Sequence, residues 1–461
     1  MLSVNQIIEV SKGKCINGNR DYIVKNYNID SRIIEKGDFF IPLVGKRSNA
    51  HDYIIDCVKK GICGYFIESS EKNKEKILKE TIILNKNIII IEVNNSKDSL
   101  YEIGKLNRRL HMDIPVIAIT GSVAKTTTRE ILSSIISKKY NVLTSIKNFN
   151  GDIGLPMMLL KLEDQDLAIL EHGIDYIGEM DKLVQASKPN MALVTMIGTA
   201  HIGILGSKEN IFKEKMNITQ YMDKDATVIL NGDDSFLNKY INDNIRIIKY
   251  YMKDVRNIIT TEKYVKFNYK IYNKNHEITI NTVGLHNIQN TLACIKMAEL
   301  FNLDAETIIS GISKFKNESG RFEIIKYKNN IKIVDDTYNA NIDSMKAGIN
   351  AITNMKAKRK IAVLGDMLEL GEYTTNMHTE AGKLFKEKNI DILYTLGENA
   401  KFIAVEAKKY INNVEHFNNK EDLSLKLCSE IGQGDLIYFK ASNILNFGQI
   451  INEIDKIIER I

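Results

Sequence analysis

The sequence has no tryptophan and only 4 prolines in 461 residues, while Asn, Ile and Lys abound. That bias reads as an effect of nucleotide composition and carries no functional signal. The 5 cysteines (Cys15, Cys57, Cys63, Cys294 and Cys428) are odd in number and scattered, with no CxxC pair. That pattern argues against a disulfide framework or zinc site, and reduced thiols in a cytoplasmic protein fit better. Residues 1–19 lack a signal-type apolar core, being interrupted by Glu9 and Lys12. The most apolar short run, 88–93, has the length of a strand and falls far short of a bilayer. Lys+Arg 63 against Asp+Glu 58 leaves +5 over the whole chain. So weak an excess implies neither nucleic acid nor a membrane as partner. There are no repeats, low-complexity tails or long charge runs.

What remains is a soluble globular chain, 44% hydrophobic and 26% charged. At about 150 residues per domain, its length suggests three domains. Over residues 1–111, short strands mix with helices: 38–44, 64–67 and 88–93 read as strands, 51–60 as a helix closed by Gly61, and Ser96 opens another. Over 112–320, buried strands at 115–120, 167–170, 191–195 and 226–230 alternate with helices, the pattern of a mainly parallel sheet. Over 321–461, the alternation repeats with strands at 331–334, 360–364, 392–395 and 435–439, and a helix at 446–457 closes the chain. This last part predicts a Rossmann-like parallel sheet without a GxGxxG fingerprint. The fold class is therefore α/β in three parts: a small mixed N-terminal domain, a central P-loop ATPase-type sheet and a C-terminal Rossmann-like sheet.

The most informative stretch is AITGSVAKTTT at 118–128, which follows a buried strand and opens a helix. Backbone N–H groups at a helix start cradle phosphates, and the helix dipole favours their charge. Gly121, Ser122, Val123, Ala124, Lys125, Thr126 and Thr127 are the candidate phosphate contacts. Lys125 can reach the terminal phosphates and the Thr126 hydroxyl can ligate Mg²⁺. The strict Walker pattern is not met, because Ala124 stands where a glycine should precede the lysine. The plainer reading is a tight turn with an exposed lysine.

These residues resemble the Mur ligase family, ATP-dependent amide ligases that build the peptide of peptidoglycan. Its phosphate loop is matched by Thr120, Gly121, Lys125 and Thr126. In the first part, Asp30-Ser31-Arg32 and GDFFI at 37–41 resemble a uridine-nucleotide stretch that continues over 46–51, with Ala50 in place of a usual glycine. Asn148, Asn150 and GLP at 154–156 resemble a substrate-facing loop. Glu171-His-Gly173 with Gly178-Glu179 resembles an acidic metal-binding turn, and IGTAH at 197–201 a metal-site histidine loop. Gly206-Ser207 and Lys215 resemble the segment that holds a carbamylated lysine. GLHNIQN at 284–290 and Gly320-Arg321 resemble nucleotide contacts. DDTYNAN at 335–341 is the longest match. LGDMLELG at 364–371 and the later His378 resemble the member that adds D-alanyl-D-alanine to a UDP-linked muramoyl tripeptide. Ile342 replaces a usual proline, Ala441 a glycine and Asn443 an arginine.

The resemblance implies ATP and two Mg²⁺ ions, with a monomer acting on UDP-muramoyl peptide and D-alanyl-D-alanine. Lys125, Lys215, His201 and Arg321 become the catalytic candidates, and Thr126, Glu171, His201 and Lys215 the metal set. Asn287, Asn290, Arg321 and Asp336 join the phosphate loop as ATP contacts. Ser31, Arg32, Asn148, Asn150, Tyr338, Asn339 and Asn341 become substrate contacts. Chemistry alone leaves each of these open. Glu171 at a strand end suits Mg²⁺ or a helix cap, while His201 is more often structural, since Mg²⁺ prefers oxygen. Lys213 and Lys215 could lie on a solvated helix face, and carbamylation of Lys215 requires a depressed pKa. Arg321 could be a surface residue. Asn287 and Asn290 suit adenine edges or a cap, Asp336 a ribose or a cap, and 338–341 a ligand or a polar turn. An ATP-dependent carboxylate–amine ligase accounts for the whole set. The alternatives are a Mur-type ligase for a different acid–amine pair and a non-catalytic nucleotide-binding module. A hinge is expected near 319–322.

Overall fold

The computed structural model describes every residue except Arg47, Lys147, Glu459 and Ile461. The first part is built on a five-stranded sheet in the order Lys14–Asn17, Ile89–Val93, Gly64–Glu68, Phe39–Phe40 and Tyr27–Asn28. Its outer pair with Lys14–Asn17 is antiparallel and the rest run parallel. The strand expected over 38–44 is only two residues long. Pro42 has no N–H to give a ladder, so pairing stops before it. Residues 46–51 lead into a one-turn helix at Ala50–Tyr53, with Arg47 of that stretch outside the described residues.

The central sheet is six-stranded and wholly parallel, in the order Arg246–Tyr250, Thr227–Asn231, Met191–Val194, Val116–Thr120, Leu167–Glu171 and Val142–Thr144. The alternation of side chains explains its apolar runs. Val116 and Ala118 face one core cluster, while Ile117 and Ile119 face the other. A three-stranded antiparallel sheet follows, Arg256–Thr260, Val265–Ile271 and Lys274–Ile280, which the expectation of strand–helix alternation did not include. Its tight turn is made by Tyr272 and Asn273, both at positive φ, which matches the strand twist.

The last sheet is six-stranded, in the order Glu323–Tyr327, Ile331–Asp335, Asp435–Lys440, Arg359–Gly365, Ile392–Leu396 and Asn413–Phe417. Only its first strand is antiparallel. The closing helix spans Gly448–Asp455, shorter than the 446–457 expected, because Asn446 takes a left-handed turn before it. One apolar cluster joins Ile197, Ile202 and Leu205 to Phe322, Met345, Met367 and Leu370, so the central and last sheets share a core. No described helix is long and apolar enough to cross a membrane.

Candidate active site

The central strand Val116–Thr120 delivers the chain into the turn 121–124, and the helix Lys125–Ile136 leaves it. Gly121 has φ +149, and a Cβ there would lie 1.8 Å from Thr195 Oγ1. Thr195 Oγ1 donates to the Val123 carbonyl at 2.6 Å, and Ser122 Oγ accepts from Gly198 N at 2.8 Å. The loop is thus fastened to the end of the neighbouring strand. Ala124 sits at φ 66, ψ 6, the left-handed region where the glycine of a phosphate loop is at ease. Lys125 Nζ donates to the Gly121 carbonyl at 2.9 Å, curling over the loop. Burial pushes the Lys125 amine down, against the pull of Glu171.

Arg321 arrives from a different part of the chain. Its Nη2 donates to Thr126 Oγ1 at 2.8 Å, and its guanidinium stacks 3.8 Å from the centre of the Tyr338 ring. Gly320 has φ +73, and its carbonyl accepts from Tyr338 N at 3.0 Å. Phe322 also has positive φ, which is rare for a bulky residue. This bend, inside the expected hinge, aims Arg321 at Thr126, just after the 121–124 turn.

Glu171 ends its strand fully buried, with Oε1 3.1 Å from Arg129 Nη1 and without a well-directed hydrogen bond. Lys215, on the helix Lys208–Met216, is 1% exposed, whereas Lys213 is exposed. Burial, reinforced by the charge of Lys125, holds the Lys215 amine well below the ordinary lysine range; Asp175, Glu214 and Glu179 oppose this. Carbamylation needs an amine depressed in this direction. Burial also raises Glu179 to about 7. Its carboxylate accepts from Asp175 N at 2.6 Å.

Other expected site residues hold partners within the protein. His201, expected as a metal ligand, has left-handed backbone, and its Nδ1 lies 2.7 Å from Glu369 Oε2 and 3.5 Å from Asp175 Oδ1. No group of three or more His, Cys, Asp or Glu among the described residues is arranged to hold a metal. Asn287 and Asn290 are buried on the helix His286–Leu300, which has no side-chain cap. Asn287 Nδ2 donates to the Val283 carbonyl at 2.9 Å, and Asn290 Nδ2 to Asn287 Oδ1 at 3.2 Å. Asp336 lies one residue past its strand, where Oδ2 accepts from Lys440 Nζ at 2.6 Å and from Tyr438 OH at 3.0 Å. Asn341 is the N-cap of the helix Ile342–Thr353, in a box with Ser344. The Asn339 side chain bonds the next backbone N–H at 2.9 Å. Arg32 is exposed and paired with Asp30 at 2.6 Å, and the Ser31 carbonyl accepts from Lys60 Nζ. Asn150 packs on Gly173 and accepts its N–H at 2.7 Å, beside the end of the Glu171 strand, while Asn148 is exposed.

Asp343 went unnoticed in the sequence. Its Oδ2 accepts from Thr199 N at 2.9 Å and from Thr199 Oγ1 at 3.1 Å, tying the last part to the turn that adjoins Ser122. In sequence it is an ordinary acid in a helix's first turn.

Two family models match this chain: the Mur ligase middle domain over residues 119–298, and the Mur ligase glutamate ligase domain over 320–443. A Bacillus subtilis protein named UDP-N-acetylmuramoyl-tripeptide–D-alanyl-D-alanine ligase is 30% identical, over 98% of each chain. The chain belongs to the Mur ligase family. Among solved structures, MurF from Acinetobacter baumannii is 25% identical and superposes with a TM-score of 0.84, covering 98% of each chain. MurF ligase from Thermotoga maritima, solved in complex with ADP, is 24% identical with a TM-score of 0.80, covering 94% of this chain and 97% of that one. The three-part Mur ligase architecture expected from the sequence is the one observed.

Proposed function

We propose that this Mur ligase uses ATP to join D-alanyl-D-alanine to a UDP-N-acetylmuramoyl tripeptide, forming ADP and an amide through an acyl phosphate. The observation that carries the reading is the convergence of Lys125 and Arg321 on the helix start that opens at Ala124. Arg321 Nη2 is 2.8 Å from Thr126 Oγ1, so a cation from the last part overhangs the phosphate loop of the central part. The choice of substrates rests on the Bacillus subtilis relative, which the chain matches over 98% of its length.

A carboxylate and an amine do not condense unaided in water. Phosphorylating the carboxylate creates a leaving group, which the amine then displaces. The loop N–H groups and Lys125 hold the phosphates, and Arg321 meets charge as it develops. Binding between the two parts aligns the groups and keeps water from the acyl phosphate. Domains at 1–111, 112–320 and 321–461 serve UDP substrate, ATP and ligation in turn. Tyr338, Asn339, Asp336 and the 31–32 and 148–150 turns supply further substrate and nucleotide contacts.

The donors present suit Mg²⁺: a buried Glu171 oxygen without a hydrogen bond, the Thr126 hydroxyl, and a buried Lys215 whose depressed amine could become a carbamate. Bound there, Mg²⁺ would neutralise phosphate charge. His201 fits a supporting role, through Glu369, better than a ligand's.

The test is phosphate release from ATP with purified enzyme, UDP-muramoyl tripeptide and D-alanyl-D-alanine. Release that requires both substrates supports the reading. Release with another acid–amine pair only would replace the substrates and keep the chemistry. ATP binding without amine-dependent release under any pair would make the chain a binding module.

A further inference from the structure

Arg129 lies one helical turn after Lys125, on the same face of the helix. It is 1% exposed, and so buried a guanidinium needs partners. Its Nε donates to Glu130 Oε1 at 3.0 Å, and its Nη1 lies 3.1 Å from Glu171 Oε1. Its Nη2 donates to Glu318 Oε1 at 2.5 Å. Glu318 belongs to the link between the helix Ala305–Lys314 and the strand Glu323–Tyr327, the link that also carries Gly320 and Arg321. Its other oxygen, Oε2, stands 3.8 Å from Arg321 Nε, and its carbonyl accepts from Arg321 N at 3.2 Å.

Glu318 is therefore bracketed by two guanidinium groups. One is anchored in the helix that begins at the phosphate loop, and the other reaches over that loop to Thr126. Without the Glu318 carboxylate, Arg321 keeps one hydrogen bond to a neutral hydroxyl and the face of Tyr338. A long side chain so loosely held recovers much of its rotamer freedom. We infer that Glu318 is a positioning residue: held by Arg129, it fixes the Arg321 guanidinium over the phosphate loop. The inference rests on the proposed ligase role of Arg321.

A double-mutant cycle in the full-length enzyme tests it, with kcat, KM for ATP and melting temperature as readouts. Glu318→Gln keeps the side-chain volume and removes the charge, on a link that is partly exposed. It should lower kcat by about ten- to a hundredfold, the cost of a misplaced group, with KM for ATP little changed. Arg321→Lys should lower kcat too, and the double variant should be no worse than Arg321→Lys alone, because both changes remove one interaction. Glu318→Asp keeps the charge on a shorter arm and should recover part of the lost kcat. Normal kcat in Glu318→Gln, or losses that multiply in the double variant, would overturn the inference. An Asp variant as impaired as the Gln variant would do the same, because restoring the charge would then restore nothing. Normal kcat in Arg321→Lys would instead remove the role of Arg321, and the inference with it.

Discussion

Ala124→Gly should stabilise the enzyme without loss of ligation. Ala124 holds φ 66, ψ 6 at the start of the helix Lys125–Ile136. For an L-residue that left-handed conformation costs about 1–2 kcal/mol, which glycine does not bear. Glycine in turn adds about 0.5–1 kcal/mol of unfolded-state freedom that folding must remove. The balance favours Ala124→Gly by roughly 0.5–1 kcal/mol, or about 1–4 °C if the central part melts as its own unit. Ala124→Val supplies the opposite sign, since a β-branched side chain fits left-handed backbone worst. Scanning calorimetry on the three proteins, with initial rates at limiting ATP, checks both claims. A glycine variant that melts below the parent, or a valine variant that melts with it, would refute the left-handed turn. A glycine variant that melts higher but loses ATP affinity would instead show that the alanine methyl serves the nucleotide.

Lys125→Ala should abolish ligation and leave the circular dichroism spectrum unchanged, because Nζ serves the loop and no core cluster; near-normal turnover would sink the phosphate-loop assignment. Lys215→Ala should be nearly inactive and partly rescued by a short carboxylic acid in the assay; an active variant indifferent to bicarbonate would deny the carbamate. Glu179 has a folded pKa raised to about 7, so its contribution is most favourable below the ordinary carboxylate range and is lost as pH rises through about 7. In magnesium-free buffer, the stability difference between parent and Glu179→Gln should therefore move toward the variant by roughly 2 kcal/mol between about pH 5 and about pH 8, and a flat difference in thermal melts contradicts the buried carboxylate. Asp343→Ala should loosen the tie between the last part and the 197–199 turn, seen as a larger radius of gyration in small-angle scattering; an unchanged radius would leave closure to the shared apolar core.

The sheets were legible where burial on both faces left continuous apolar runs. The segments IIIEV at 89–93, VIAIT at 116–120 and LAILE at 167–171 are all strands, within a residue of expectation. The antiparallel sheet at 256–280 carries a different signal, the alternation of VKFNYKI around Tyr272 and Asn273, and a search for strand–helix alternation passes over it. Within the site, the strand, turn and helix over 116–136 were legible because their parts are contiguous. Arg129, Glu318 and Asp343 act through contacts with residues far away in the chain, and in sequence each is only a charge near a helix end. Asn341 shows the converse: in sequence it suits a ligand or a polar turn, and its side chain is the N-cap of the helix Ile342–Thr353.

The departures from the family pattern differ in physical weight, and the backbone shows why. Ile342 is the first residue of its helix, where proline is favoured because its missing N–H would lack a helical partner in any case. Any residue with ordinary φ can stand there. Ala441 places its methyl where a Cβ on Gly365 would come within 2.7 Å, so the glycine on the neighbouring strand end accommodates the alanine. Asn443 opens a single turn at Asn443–Leu445 with no buried residue, so a change of side chain there meets no core. Ala124 alone sits at an angle that its own Cβ opposes, and it does so at the turn where phosphates are proposed to bind. A strained residue persists when its surroundings over-determine it. Here the determinants are visible: Thr195 Oγ1 donates to the Val123 carbonyl, Gly198 N to Ser122 Oγ, and Lys125 Nζ to the Gly121 carbonyl. The turn thus holds at Ala124 a left-handed conformation that glycine would hold without strain. It follows that loosening Thr195 should cost this enzyme more than it would cost an Ala124→Gly variant.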